Sequence, residues 1–378
     1  DAQGNLQTKY LPDGSPYGFN GYDTWSYTYN AFGEVLTATD PLGHQTTNMY
    51  DSTGNLLQTT TPSPDGGTTP ASTTYFTYYY PQGTLKTIKD PLGNVTTFTY
   101  YTTGLVYQMK DANLKVTTYV YDGRGNLQSI QDPVNGSTKL TTFTYDPMNR
   151  LQTITYPGQT VSIQFHYDFR GRRDYVIDQN GFKTSYGYDD ADRLTSVTDA
   201  QSPTPGVTTY VYDTENNLTD IYDAKQNHTQ FTYINGNQLF HAIYPSGYQE
   251  TYLFDGNGNP QNKTDRNGQL INFKYDYQNR LITKIYPTGP NLTYTYDAAG
   301  RLTQAQDASG TYGFIYDNMD RLTEADTTYA FLSGLQAVKY GYDYATNRNS
   351  MIDPQSIQTT YGYDALNRLS SLTYNGQT

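Results

Sequence analysis

Catalysis needs nucleophiles, bases or metal ligands held at fixed spacing, and this sequence offers a narrow set of them. There is no cysteine, which removes thiol nucleophiles, zinc–thiolate sites and disulfides together. The four histidines, His44, His166, His228 and His241, stand far apart, and no H-E-x-x-H joins two of them. They read as strand or surface residues. No Gly-x-Ser-x-Gly occurs, so a serine nucleophile with its positioned base has no signature. Carboxylates are abundant, and of the 36 acids 32 are Asp and 4 are Glu. A pair flanking a glycosidic bond could be drawn from so many. The skew has a simpler source, because Asp bonds its own backbone in turns. The densest group, Asp189-Asp190-Ala191-Asp192, lacks the loop length and closing Glu of an EF-hand, and the Gly-rich calcium nonapeptide is absent. It reads as a turn. The expectation is therefore no enzyme, no catalytic, cofactor-binding or metal site, and no cofactor.

The carboxylates belong to a recurring unit, seen most clearly at Tyr294–Gly310. Tyr294 and Tyr296 are two apart and so share one face of a strand. Asp297 and Gly300 are turn residues, since Asp bonds locally and Gly accepts positive φ. A second strand opens on Leu302, closes on Asp307, and another Gly turn ends the unit. The second aromatic recurs at Tyr29, Tyr50, Tyr78, Tyr100, Tyr121, Tyr145, Tyr167, Tyr188, Tyr212, Tyr233, Phe254, Tyr275, Tyr296, Tyr316, Tyr342 and Tyr363. Those are sixteen copies at a modal period of 21, the mark of a repeat architecture. Asp follows at Asp51, Asp122, Asp146, Asp168, Asp189, Asp213, Asp255, Asp276, Asp297, Asp317, Asp343 and Asp364. Asn30, Tyr79, Tyr101 and Ile234 take its place in the other four. These aromatics and acids are the expected structural residues of the repeat.

At these positions the chain resembles a known family. Tyr119-Val120-Tyr121-Asp122-Gly123-Arg124-Gly125-Asn126-Leu127 and Tyr361-Gly362-Tyr363-Asp364-Ala365-Leu366-Asn367-Arg368-Leu369, with D-P-L-G at Asp40–Gly43 and Asp90–Gly93, are similar to the YD (RHS) repeat. That repeat occurs in bacterial Rhs proteins, in the C components of Tc toxins, in wall-associated proteins and in teneurins. The resemblance covers essentially the whole chain. It implies a spiralling antiparallel β-hairpin sheet, a β-solenoid or shell, which in Rhs and Tc proteins winds around a C-terminal toxin. No toxin domain or distinct block follows the last repeat here, so toxin and protease roles are not carried over.

The expected fold is all-β, about thirty-two strands in one continuous array over residues 1–378. At ~4.8 Å per strand a flat sheet would run about 150 Å, and large twisted sheets do not stay flat. Residues 1–26 read as an irregular first part. Residues 59–74 contain T-P-S-P-D-G-G-T-T-P and read as an exposed insert. Shorter inserts stand at Pro133–Leu140, Ser202–Gly206 and Ala330–Ala337. All four precede an aromatic strand and so should leave one edge, while the tip within each hairpin stays constant in length. An Arg follows many tips, as at Arg150, Arg193, Arg280, Arg301, Arg321 and Arg368. It can fold back on the Asp or stack on a Tyr.

Apolar residues are only 35% of the chain, yet 42 Tyr supply half-buried area that keeps a hydroxyl wet or paired. The net charge of -12 opposes nucleic-acid binding, and no apolar run is long enough to span a membrane. The sequence lacks a starting Met and a secretory signal, which suits a mature or excised piece. Two roles follow. One is the wall of a shell around a toxin or other cargo, secreted or on a bacterial surface, with the chain's own flanking domains as partners. The other is a surface adhesion element that contacts glycans or joins identical subunits end to end into a filament.

Overall fold

The computed structural model describes residues 1–12, 21–132, 139–200, 204–234 and 236–375. Among the described residues thirty-three strands form an antiparallel sheet and no helix occurs. The expected insert at Pro133–Leu140 falls largely outside the described residues, and that at Ser202–Gly206 does so in part. Two compact units are distinguished. The first holds residues 1–99, 109–115 and 273–378, and the second holds 100–108 and 116–272.

Within each unit the strands touch their sequence neighbours, as the repeat period requires. Among the described residues no strand of either unit packs against any but its neighbours in sequence. Among the described apolar residues only Ala242 and Ile271 are buried. In several aromatic strands one face is half-buried and the other lies in solvent. In Leu292–Tyr296 the tyrosines are half-buried and Thr295 is exposed. The middle residue of the aromatic triplet is exposed in some of them, as Ile315 is at 50%.

The hairpins carry a feature that alternation alone does not predict. Wherever their register is described, it shifts just before the second aromatic. Tyr294 faces Ala305 and Thr295 faces Gln304, but Tyr296 faces Leu302. One extra residue on the returning strand makes a β-bulge. It lets Leu302 and Ala305, three apart, oppose two tyrosines that are two apart. Leu151 and Ile154 do the same for Tyr145 and Phe143, and Leu194 and Val197 for Tyr188 and Tyr186.

Of residues 1–26, Thr8–Pro12 and Tyr22–Ser26 stand in paired strands, with Lys9 opposite Trp25. Alternation in D-T-W-S-Y-T-Y outweighs the Gly-rich stretch before it. The insert at 59–74 exposes residues 65–68 and 70–71, while Ser72 is buried. Its Pro64 carbonyl accepts a hydrogen bond from Asn318 N at 3.0 Å. Other late turns of the first unit likewise meet early residues. Gln278 Nε2 donates to Pro12 O at 2.8 Å and to Asp23 Oδ2 at 2.6 Å. Asn113 Nδ2 lies 3.5 Å from Asp364 Oδ2.

Candidate functional site

The repeated Asp builds its turn with both carboxylate oxygens. Asp122 Oδ1 accepts from Arg124 N at 2.8 Å and Asn126 N at 2.9 Å, and Oδ2 accepts from Asn126 Nδ2 at 3.0 Å. Gly125 N donates to the Asp122 carbonyl, and Asp122 N donates to the Asn126 carbonyl. The D-P-L-G turns are the same device. Asp90 Oδ1 takes the amides of Leu92 and Asn94, and Oδ2 takes Asn94 Nδ2. The fourth position requires positive φ, which Gly125, Gly300 and Asn149 supply. Hydrogen bonds hold two of the turn carboxyls below their ordinary range, Asp122 through the Asn126 side chain and Asp364 through Arg368, down to about 2. At Asp146 burial pushes upward, and the Arg150 amide and guanidinium more than offset it.

Where Arg replaces Asn, one side chain ties two repeats. Arg301 Nε donates to Asp297 Oδ2 at 2.6 Å, and its Nη1 donates to the Asp317 carbonyl at 3.1 Å in the following repeat. Its guanidinium also lies 4.9 Å from the Tyr316 ring centre. Arg150, Arg172, Arg193, Arg280 and Arg321 repeat the arrangement on Tyr167, Tyr188, Tyr212, Tyr296 and Tyr342. Folding back on the Asp and stacking on a Tyr thus occur together. Asp276 shows how tightly this closes, with its side chain at 0% exposure under Arg280.

The tyrosine hydroxyl is the link that sequence reasoning missed. Tyr296 OH donates to the Leu281 carbonyl at 2.9 Å, at the start of the previous returning strand. Tyr29, Tyr50, Tyr78, Tyr145, Tyr167, Tyr188, Tyr212, Tyr233, Tyr316, Tyr342 and Tyr363 make the equivalent bond. Burial raises the hydroxyl pKa of Tyr145, Tyr233 and Tyr296. Phe254 has no hydroxyl to give. Tyr121 instead meets the edge of the Tyr101 ring, centroids 6.0 Å apart. Tyr100 and Tyr275 close their strands, Val95–Tyr100 and Leu270–Tyr275.

The remaining candidates are also engaged. Asp192 Oδ1 in the acidic cluster lies 2.7 Å from Arg172 Nη1 and 3.2 Å from Arg170 Nη1, and Asp190 faces Arg170. His166 bonds Asp174 at 2.6 Å and stacks on Tyr175, and His228 bonds Asp220 at 2.7 Å and stacks on Tyr222. His241 Nδ1 is 3.0 Å from Thr251 Oγ1. His44 Nδ1 is 3.0 Å from Asp40 Oδ2, and Asp320 stands beside them. One polar knot departs from the repeat. Tyr244 occupies the turn position that Asp holds elsewhere, and Glu250 Oε2 accepts from Tyr252 OH at 2.6 Å and Tyr244 OH at 3.1 Å. Lys263 Nζ sits 3.0 Å from Glu250 Oε1.

The comparisons with known proteins agree with this construction. Residues 178–314 match the teneurin YD-shell family, and residues 29–68 and 121–161 match the RHS repeat. The chain is built of YD repeats. The YD-repeat fold is also found in solved structures. The crystal structure of TcdB2-TccC3 superposes with a TM-score of 0.74 at 16% identity, covering 97% of this chain and 23% of that one. TcdB2-TccC3 without its hypervariable C-terminal region gives 0.74 at 13% identity, over 92% and 22%. The Tc holotoxin pore of Photorhabdus luminescens gives 0.69 at 13% identity, over 98% and 24%. The YD-repeat chain therefore spans under a quarter of the length of each of these three structures. No curated protein matches it in sequence.

Proposed function

We propose that this YD-repeat chain is a non-enzymatic wall segment of a shell that encloses a polypeptide cargo outside the cell that makes it. The supporting observation is the likeness of 97% of the chain to TcdB2-TccC3 at a TM-score of 0.74. The use of its side chains agrees with that role. Turn carboxylates are spent on backbone amides and arginines, and tyrosine hydroxyls on carbonyls of the preceding repeat. Such groups hold a wall together rather than meet a substrate. None of the described residues forms a helix long and apolar enough to cross a membrane.

The test is limited proteolysis of the native polypeptide from its own source, followed by mass spectrometry. The expected result is a resistant array together with segments outside it that stay uncut until the array is unfolded. Rapid cleavage of every outside segment while the array remains intact would remove the enclosing role. A native mass equal to that of the array alone would remove a cargo carried in the same chain.

A further inference from the structure

We infer that Asp40, His44 and Asp320 form a binding site for one divalent transition-metal ion, which clasps an early turn of the first unit to a late one. One ligand atom from each residue lies within 4.8 Å of the others. Two carboxylate oxygens and one imidazole nitrogen suit zinc, cobalt or manganese better than calcium or magnesium, which take oxygen alone. Metal–ligand bonds of about 2.0–2.2 Å place ligand atoms up to roughly 4 Å apart. The exposed side chain of Asp320, at 62%, has the freedom to close the remainder.

The two halves of the site come from the same turn device. Asp40 opens the D-P-L-G turn that His44 closes, and Asp40 Oδ1 already accepts the amides of Leu42 and His44. Its other oxygen, Oδ2, faces the His44 ring. His44 stands where the neighbouring turns carry Asn55 and Asn94. Asp320 takes the positive-φ position of a hairpin tip, at φ 62. Arg301 Nη1 holds its Oδ1 at 2.7 Å, the outer-shell contact a metal-bound carboxylate commonly has. An imidazole that binds a metal is neutral, and the two carboxylates supply the negative charge the cation meets. The clasp is joined only when these residues, far apart in sequence, meet in the fold. It adds to the direct bond of Asn318 N to Pro64 O in the same unit.

The site can be tested without disturbing the turns, because other repeats supply folding-compatible replacements. His44→Asn installs the residue of Asn55 and Asn94, and Asp320→Asn installs that of Asn149, Asn279 and Asn367, all at positive φ. The chelator-stripped 378-residue chain would be titrated with Co²⁺ in visible absorption and with Zn²⁺ in thermal denaturation. The wild type is expected to bind one Co²⁺ with a new d–d band and to melt higher with Zn²⁺. Each variant should bind at least tenfold more weakly, lose the band and lose the Zn²⁺ shift. Absence of a band in the wild type, or equal Zn²⁺ shifts in wild type and both variants, would overturn the site. Calcium raising all three midpoints equally, with Zn²⁺ no more effective, would assign the effect to the general acidity of the chain and overturn it as well.

Discussion

The guanidinium carbon of Arg321 lies 4.7 Å from the centre of the Tyr342 ring, in the repeat that follows its own. The same side chain holds Asp317 Oδ2 at 2.7 Å and the Asp343 carbonyl at 3.2 Å. One residue thus closes its own turn and fixes the next hairpin against it. In an array whose units touch mainly their neighbours, stability is a sum of unit and interface terms. These links are the interface term.

Arg301 should therefore matter more than an arginine at an exposed tip. Arg301→Met removes bonds to Asp297, Asp317 and the Tyr316 ring and should destabilise by about 2 kcal/mol or more. Arg124→Met removes only the exposed contacts to Pro147 and Asn149 and should stay within about 0.5 kcal/mol. Urea denaturation compares them, and equal midpoints would contradict the interface role.

The hydroxyl link can be removed and added. Tyr296→Phe should lose about 1 kcal/mol with the bond to Leu281 O, and Tyr296→Ala about 3 kcal/mol or more. Phe254→Tyr should gain about 0.5–1 kcal/mol, because it restores the hydroxyl to a row where the equivalent acceptor is the carbonyl of Leu239. A drop in the Phe254→Tyr midpoint would show that the row does not accept the link there.

Two glycines in similar tips separate backbone strain from space. Gly300 sits at φ +89, whereas Gly123 is at ordinary φ with nothing within 4 Å of an added Cβ. Gly300→Ala should destabilise by about 1–2 kcal/mol, and Gly123→Ala should be neutral or slightly favourable. Chemical denaturation of the two variants side by side reads the difference.

Stability should fail at both pH extremes and hold between them. The turn carboxyls of Asp122, Asp146, Asp168, Asp189, Asp213 and Asp255 are depressed in the fold. A depressed carboxyl stabilises fully above its unfolded value and loses that contribution as pH falls through the folded one. For Asp364 the window runs from the ordinary 3.8 down to about 2. Burial raises Tyr145, Tyr233 and Tyr296 above the ordinary 10.0. Their contribution is complete below 10.0 and lost as pH climbs through the raised values. Circular dichroism against pH should show a plateau from about pH 4 to 10, and unfolding centred near pH 6 would contradict this account.

What the amino-acid sequence determined by itself was local. Y-x-Y-D-x-x-G-[NR]-L encodes a strand, a five-residue turn closed by its own Asp, and a returning strand. Every bond that closes that turn lies within four residues, so the period alone establishes an antiparallel hairpin array. The bulge also leaves a trace, in the spacing of three between Leu302 and Ala305, although period-two reasoning passes over it. The tertiary structure decided everything that joins one hairpin to another. The hydroxyl of Tyr296 reaches Leu281 O, fifteen residues back, because the strands are stacked in register. The meetings of Pro64 with Asn318, and of Asp40 and His44 with Asp320, depend on where distant repeats come to lie. Each hairpin adds its own twist to the sheet, so the sequence of a single repeat does not say which distant residues of the first unit will meet.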